Sequence, residues 1–302
     1  MIRIGSRGSE LALWQAHHIA GLLRAQGHEV EIEIIKTTGD RLQEVTFAQV
    51  GSKGMFTLEI EQALAVGRVD IAVHSLKDLP TELPVGFTLA ATPPRVDPRD
   101  VVVSRDYPNL ASLPSGAKVG TSSLRRRSQL RHIRPDLEYI EFRGNVDTRL
   151  RKLDEGQAAA IILAAAGLDR LEKTDWIRER LSVETATPAA GQGALAIESR
   201  DGDSRILAAV AFLDDPATRF AVTAERIALH VLGGGCQVPI GIHCGLLEPA
   251  RYEILGMVAD PDGSRLIRAH ATGIDAEALG HIVAENLLDQ GAAKLFAGTS
   301  AR

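Results

Sequence analysis

Cysteine is scarce in this sequence, with Cys236 and Cys244 the only two among 302 residues. That excludes a disulfide-stapled scaffold. The two are not placed to pair either, because Val238, Ile240 and Ile242 alternate between them in a strand pattern, and an extended stretch of that length separates the thiols by roughly 26 Å. Cys244 keeps the parity of those apolar residues and reads as a small buried core residue. No apolar run approaches the roughly 18 residues a membrane span needs. The opening Met1-Ile2-Arg3-Ile4-Gly5 lacks the basic and apolar regions of a secretion signal, so a cytoplasmic protein is expected. Also missing are G-x-G-x-x-G, a P-loop, and H-E-x-x-H or another metal spacing among the nine histidines. Dinucleotide, ATP and zinc chemistry lose support, and no metal is expected.

What is present is the balance of an ordinary globular chain, 45% hydrophobic and 24% charged. Its length favours two or three domains over one. Net charge is -5, which argues against a general nucleic-acid binder, yet the charge is uneven. Lys118 to Lys152 holds ten Lys/Arg against four Asp/Glu, a surplus of +6, so the remainder of the chain is -11. A basic segment inside an acidic protein suits a small polyanionic ligand better than a long polyanion. The alternative is a solvated helix face carrying surplus arginines.

The first two-thirds alternate β-type runs with helical patterns, an α/β arrangement. Val69 to Val73, Val101 to Val103, Leu137 to Phe142 and Ala159 to Leu163 read as buried strands of a mostly parallel sheet. Linker-like stretches at Pro93 to Pro98 and Pro188 to Gly193 bracket a central segment of domain size. From Val238 onward β-runs are separated by turns at Glu248-Pro249 and Asp260-Pro261-Asp262-Gly263. A helix follows from Asp275, a suitable N-cap, to about Gln290, with Gly291 as its stop. This part reads as a small α+β domain.

The basic residues fall at strand-to-helix junctions. Arg7 and Ser9 follow the first strand, Thr121-Ser122-Ser123-Leu124-Arg125-Arg126 opens a helix, and Arg143-Gly144-Asn145 ends a strand before another helix. Such junctions gather at the carboxyl ends of strands, where free N–H groups, caps and guanidiniums receive carboxylate or phosphate. Lys77-Asp78 lies just beyond a buried strand and before Pro80, and from the dipeptide alone a surface loop is the simpler reading. His74 reads as packed at that strand's end. Gly233-Gly234-Gly235-Cys236 gives the backbone freedom to present a thiol at a loop tip. A packed free cysteine is the usual alternative.

Taken in order, these segments resemble the porphobilinogen deaminase family. The likeness runs through Ser6-Arg7-Gly8-Ser9 with Gln15, Gly51 to Phe56, Asp70 to Pro80, Gly120 to Arg126, Phe142 to Asn145 with Thr148-Arg149-Leu150, Leu163 to Leu171, Gly191-Gln192-Gly193 and Leu232 to Pro239. Gln49 and Ser52 stand where many relatives have Lys and Gly, and beyond Pro239 the match is weak. The resemblance implies two lobes like those of a type II periplasmic binding protein plus a small α+β C-terminal domain. Domain 1 would comprise residues 1–93 and 194–213, domain 2 residues 98–188 and domain 3 residues 216–302, with the active cleft between the first two.

It further implies a transferase of tetrapyrrole and haem biosynthesis that condenses four porphobilinogen molecules into hydroxymethylbilane, each step losing ammonia. The primer would be one dipyrromethane per chain, joined to Cys236 by a thioether. Lys77, Ser75, Thr121, Ser122, Ser123, Arg125, Arg126, Arg143, Gly144 and Gln192 would hold that cofactor. Arg7, Ser9, Gln15, Lys53, Arg149 and Arg170 would bind substrate, whose acetate and propionate groups call for cations. Asp78 would be the catalytic carboxylate, stabilising the cation left when ammonia departs and mediating proton transfer. A monomer with no nucleic-acid or membrane partner is implied, its product passing to the next enzyme of the pathway. Two rivals stand beside this reading: a noncatalytic two-lobed solute-binding or ligand-sensing protein, and a cysteine-dependent acyltransferase, which lacks a visible base for Cys236.

Overall fold

A computed structural model describes residues 1–38, 57–234 and 238–297. In chain order its strands are β1 (Ile2–Ser6), β2 (Val30–Ile34), β3 (Ile71–Ser75), β4 (Phe87–Ala91), β5 (Asp100–Val103), β6 (Lys118–Gly120), β7 (Glu138–Ile140), β8 (Ala160–Ala164), β9 (Ile177–Arg180), β10 (Leu195–Arg200), β11 (Ile240–Glu248), β12 (Arg251–Ala259) and β13 (Leu266–Gly273). The helices are α1 (Glu10–Ala25), α2 (Leu58–Ala65), α3 (Leu124–Ile133), α4 (Val146–Asp154), α5 (Ala165–Arg170), α6 (Ser204–Val210), α7 (Pro216–Val231), α8 (Ala276–Asp289) and α9 (Ala292–Ala297). The chain divides into two compact units, Met1–Val96 with Gly193–Arg219, and Asp97–Gln192 with Phe220–Arg302.

The first unit is built on a sheet of order β2-β1-β3-β10-β4. Ile2 and Ile4 of β1 turn to one face, where Ala16, Ile19, Ala20 and Leu23 of α1 recur at helical spacing and bury against them. Gly5 turns to the other face, where a Cβ would come within 3.1 Å of Val69, so the chain there lies close beneath the residues that pack with α2. β1 runs parallel to β2 and β3, whereas β10 runs antiparallel to both β3 and β4.

The second unit repeats that plan. Its first sheet has the order β7-β6-β8-β5-β9, with β6 parallel to β7 and β8, and β5 antiparallel to β8 and β9. In each sheet the antiparallel strand comes from the segment that has just arrived from the other unit, β5 after Asp97 and β10 after Gly193. The expected mostly parallel sheet is therefore mixed in both cases. Val101 to Val103 are wholly buried, and an apolar run of that kind records burial on two faces without recording strand direction. The two sheets thus share one strand plan, with the antiparallel strand fourth in the order.

A third, antiparallel sheet, β11-β12-β13, completes the second unit. The turns expected at Glu248-Pro249 and Asp260 to Gly263 join its strands. Asp275 caps α8 through the Ala278 N–H at 2.8 Å, and Gly291 beyond its end has φ +94, both as the sequence indicates. Leu279, Val283, Ala284 and Leu287 of α8 cover the sheet beside Ala224 and Ala228 of α7, and Cys244 is buried there as expected. The sheet is tied to the preceding segment by backbone: Ile242 N–H donates to the Pro188 carbonyl at 2.8 Å. A Cβ on the adjacent Gly241 would lie 2.6 Å from the Thr187 carbonyl oxygen. Neither backbone has room to yield. Gly241→Ala is thus expected to cost about 1–3 kcal/mol, the usual penalty of overpacking, measured as a lower urea midpoint with an unchanged slope.

Candidate active site

Two turns position the candidate residues of the first unit. Past β1, Arg7 leads to Ser9, whose side chain caps α1 by accepting from the Ala12 N–H. Gln15 on the buried side of α1 donates through Nε2 to Ser75 Oγ at 2.8 Å, joining the helix to the end of β3. From Ser75 the chain enters a 3-10 turn, Leu76–Asp78. The Leu76 N–H donates to Ala194 O, and the Leu79 N–H closes the turn on Leu76 O, both at 3.0 Å. Leu76 is buried and Asp78 exposed, so the turn anchors itself with one side chain and presents the other. Arg7, Ser9, Gln15, Ser75 and Asp78 line one cavity of about 80 Å³, with His74 and Thr57 in its wall. Asp78 thus reaches the wall of a cavity, while Lys77 is half-buried on the same turn.

In the second unit the hydroxyls of Thr121, Ser122 and Ser123 organise their own backbone. Thr121 accepts from the Ser123 N–H at 3.2 Å, Ser122 from the Phe142 N–H at 3.0 Å, and Ser123 caps α3 through the Arg126 N–H. A hydroxyl that accepts keeps its proton to donate to a ligand. Arg125 and Arg126 are turned inward and nine-tenths buried. Arg125 Nη1 donates to Asp100 Oδ2 and to Thr187 O, each at 2.7 Å. Arg126 donates through Nε to Asp100 Oδ1 at 3.0 Å and through Nη1 to Ile162 O at 3.1 Å. Gln192, also buried, donates to Asp100 Oδ1 at 2.8 Å and to Pro98 O at 2.6 Å. Burial pushes the Asp100 carboxyl up, but the two guanidiniums more than reverse it and hold it far below the usual 3.8. Burial likewise pulls Arg125 down from its ordinary value, with Asp100 opposing.

Arg143 and Arg149 sit where β7 passes into α4. Gly144, between Arg143 and the cap of α4, has φ +122, and a Cβ there would meet Thr148 at 2.6 Å, so glycine is needed on both counts. Asn145 caps α4 through the Thr148 N–H at 2.9 Å. Arg143 Nε lies 3.3 Å from Glu141. Arg149 is pushed down to about 10 by burial, then by Arg126 and Arg143, with Glu141 opposing. Arg149 Nε finds no partner among the described residues. Arg170, at the end of α5, is buried and pushed down to about 10 by that burial, with Asp169 opposing.

Lys53 and Cys236, with Gln49 and Ser52, lie outside the described residues. The approach to Cys236 is described as far as Gly234, whose Cβ would stand 2.5 Å from Ile240 and 2.7 Å from Leu229. A side chain there would require the tips of Ile240 and Leu229 to shift. Sequence reasoning missed Asp100, placed directly before the apolar Val101 to Val103, where a carboxylate flush with a buried strand was a signal of a charge partner. It also missed Glu225, fully buried in α7, which accepts from the Gly191 N–H at 2.6 Å and the Cys244 N–H at 2.7 Å.

Residues 2–208 match the family model described as "Porphobilinogen deaminase, dipyromethane cofactor binding domain", and residues 219–289 match "Porphobilinogen deaminase, C-terminal domain". The chain belongs to the porphobilinogen deaminase family. A porphobilinogen deaminase of Brevibacillus brevis is 51% identical over 297 residues, covering 98% of this chain and 96% of its own. One from Thiobacillus denitrificans is 51% identical over 295 residues, covering 96% of each. Among solved structures, a periplasmic substrate-binding protein of an ABC transporter from Coxiella burnetii aligns over 72% of this chain and 94% of its own, with a TM-score of 0.44 and 15% identity.

The family's dipyrromethane carries acidic side groups, and the second unit suits such a group. The orphaned Nε of Arg149, inside a cluster that repels its charge, is a donor in want of an anion. Arg125 and Arg126, by contrast, already share Asp100. Asp100→Asn, which strands both guanidiniums, is expected to lower stability by about 3–5 kcal/mol, while Arg143→Ala stays within about 0.5 kcal/mol. Because the Asp100 carboxyl ionises below its usual 3.8, its contribution is fully present above that pH and lost as acid passes down to the folded value. Urea unfolding at pH 7 and pH 4 should therefore give nearly the same difference between wild type and Asp100→Asn, with narrowing only in stronger acid.

Proposed function

We propose that this chain deaminates porphobilinogen and joins four such units head to tail into hydroxymethylbilane, on a dipyrromethane held by Cys236. The observation that carries the proposal is the placement of Asp78. Among the described residues lining its cavity it is the one carboxylate, held at the tip of a turn fixed at both ends and sharing that cavity with Arg7. The bound dipyrromethane supplies a nucleophilic pyrrole carbon to which the first substrate is joined. Everything else falls to side chains of this chain.

Arg7, with Ser9 and Gln15 beside it, would take a carboxylate of the incoming substrate and orient its aminomethyl carbon toward Asp78. As the carbon–nitrogen bond breaks, its electron pair leaves with ammonia and positive charge develops on the substrate. The Asp78 carboxylate stabilises that charge and holds the pyrrole N–H. After the new carbon–carbon bond forms, the same carboxylate takes the proton from the ring carbon. Lys77, Ser75, Thr121, Ser122, Ser123, Arg143, Gly144, Arg149, Arg170 and Lys53 are assigned to the acidic side groups of primer and substrate. Arg125, Arg126 and Gln192 support that assignment chiefly by shaping the start of α3 around Asp100. The reading includes three domains, residues 1–93 with 194–213, 98–188 and 216–302, a cytoplasmic monomer, and transfer of the product to the next enzyme of the pathway.

Intact and peptide mass spectrometry of protein made in a porphyrin-producing cell should find a two-pyrrole adduct on Cys236 and none on the buried Cys244. A fully active protein without the adduct would remove the covalent primer. For catalysis, primed Asp78→Asn should lose about 2.7–4 kcal/mol of transition-state stabilisation, roughly a hundredfold or more in turnover, while Asp78→Glu keeps measurable activity. Asparagine caps a turn comparably to aspartate, so an Asn variant outperforming Glu in single-turnover ammonia release would reduce Asp78 to a structural residue.

A further inference from the structure

Behind the cavity that holds Asp78 lies a buried acid-rich group which the steps above do not use. His74 and Glu198 stand on neighbouring antiparallel strands, with Glu198 opposite Ala72 and Ala196 opposite His74. Diagonal positions of that kind share a face, and His74 Nε2 lies 3.0 Å from Glu198 Oε2. The pair is closed from solvent, with side chains 6% and 0% exposed. Glu61 of α2 is buried beside them, and its carboxyl is pushed up by burial and further by Glu198, against the opposing effects of Thr57 and His74. Glu61 Oε1, Glu198 Oε1 and Thr57 Oγ1 have no hydrogen-bond partner among the described residues. Two carboxylates and an imidazole in the interior of a small lobe are expensive to keep unless they hold protons between them. Packing requires nothing of the sort, since the same face is otherwise filled by Ile35, Ile60, Leu64, Val69 and Ala72.

The group shares a cavity wall with the site. His74 and Thr57 belong to the wall of the cavity that Asp78 and Arg7 also line. His74 lies on β3, one residue before Ser75, where the strand gives way to the turn that ends in Asp78. The titratable and charged groups around the imidazole are thus Glu198 from β10, Glu61 from α2, and Asp78 and Arg7 across the cavity. Glu59 of α2 is directed elsewhere, accepting from the Thr38 N–H at 2.8 Å.

We propose that His74, held by Glu198 and flanked by Glu61, is the proton reservoir that empties and reloads Asp78. The inference rests on the condensation reading above and adds the path of its proton. Asp78, loaded with a proton from the trio, gives it to the substrate's amine, so that when the carbon–nitrogen bond breaks the electron pair departs with neutral ammonia and Asp78 is left as the carboxylate. Carbon–carbon bond formation then leaves one proton on the ring carbon. Asp78 takes it, the carbon–hydrogen pair returning to the ring, and passes it to His74. The trio is thereby restored, and one amine plus one ring C–H has become one C–C bond plus one ammonia. Thr57 Oγ1, unpartnered and in the cavity wall, offers a hydroxyl in that path. His74 and its two glutamates act through Asp78 and are positioning residues for its proton.

The test uses primed, full-length enzyme with the Cys236 adduct verified by mass, and compares wild type with His74→Gln and Glu198→Gln. Glutamine leaves polar side chains of similar reach but cannot take and return a proton at neutral pH. Steady-state kinetics across pH should show kcat falling roughly tenfold to a hundredfold, within the usual range for acid–base assistance, with KM within about twofold of wild type by the same reasoning. The shape of the kcat–pH profile should change in both variants. If His74→Gln does not fold, as judged by thermal unfolding, Glu198→Gln decides the matter alone. A folded His74→Gln or Glu198→Gln whose kcat–pH profile overlays that of wild type would overturn the proposal, as would a loss confined to KM. Wild-type enzyme that consumes no porphobilinogen would instead overturn the condensation reading itself.

Discussion

Asp100 sits at the first position of β5, wholly buried, between two guanidiniums that are themselves nine-tenths buried. Charges in such a place are tolerated only as a set, because removing any member leaves another desolvated and unmatched. The set reaches further than three residues. Gln192 reaches both Asp100 and the Pro98 carbonyl, so the segments where the chain enters and leaves the second unit are bonded to one carboxylate. Arg125 and Gln129 both donate to the Thr187 carbonyl, and Gln129 accepts from the Thr187 N–H. Thr187 in turn abuts Gly241 of the third sheet. One ion cluster thereby fixes the start of α3, the two connecting segments and the edge at which β11 begins.

The first unit handles buried charge in the opposite way. Around Asp100 cations outnumber the carboxylate, which stays ionised. Around His74 two carboxylates share one imidazole, and Glu61 is pushed toward its neutral form. The former arrangement resists change over the ordinary pH range and suits a scaffold. The latter is short of cations, and burial with a neighbouring carboxylate favours the neutral form of Glu61. The cation-rich cluster thus supports α3, while the carboxylate-rich one adjoins the cavity that Asp78 lines.

Much of this was written plainly in the sequence. The caps Ser9, Ser123, Asn145 and Asp275 precede their helices with the expected side-chain oxygens, and Cys244 follows the strand parity that buries it. Strand direction was not legible. Val101 to Val103 is apolar on both faces whether its neighbours run with it or against it, so the antiparallel β5 and β10 could not be told from parallel strands. Nor was the inward turn of Arg125 and Arg126. Their partner lies 25 residues away from Arg125, and two arginines at the start of a helix look the same whether they face a ligand or a buried aspartate. The pair His74 and Glu198 is 124 residues apart in sequence. A strand-end histidine on its own points to packing, and only the β3–β10 register gives it a partner.

Pairing in space also changes what the basic segment means. Its surplus of +6 is a count from Lys118 to Lys152, but side chains do not pair within windows of sequence. Arg125 and Arg126 are matched by Asp100, which lies outside that window. Arg134 pairs with Asp136, Arg151 with Glu155, and Glu141 lies near both Arg127 and Arg143. Arg131 lies over the Tyr139 ring at 5.5 Å, and Lys152 donates to the Arg143 carbonyl. Arg149 is different, because it is desolvated, repelled by two arginines and left with a buried N–H that nothing among the described residues accepts. A desolvated donor of that kind stands to gain more from an arriving carboxylate than an exposed guanidinium that is already well hydrated. The demand for an anionic ligand is thus concentrated at the start of α4, and the net charge of the segment is a poor measure of it.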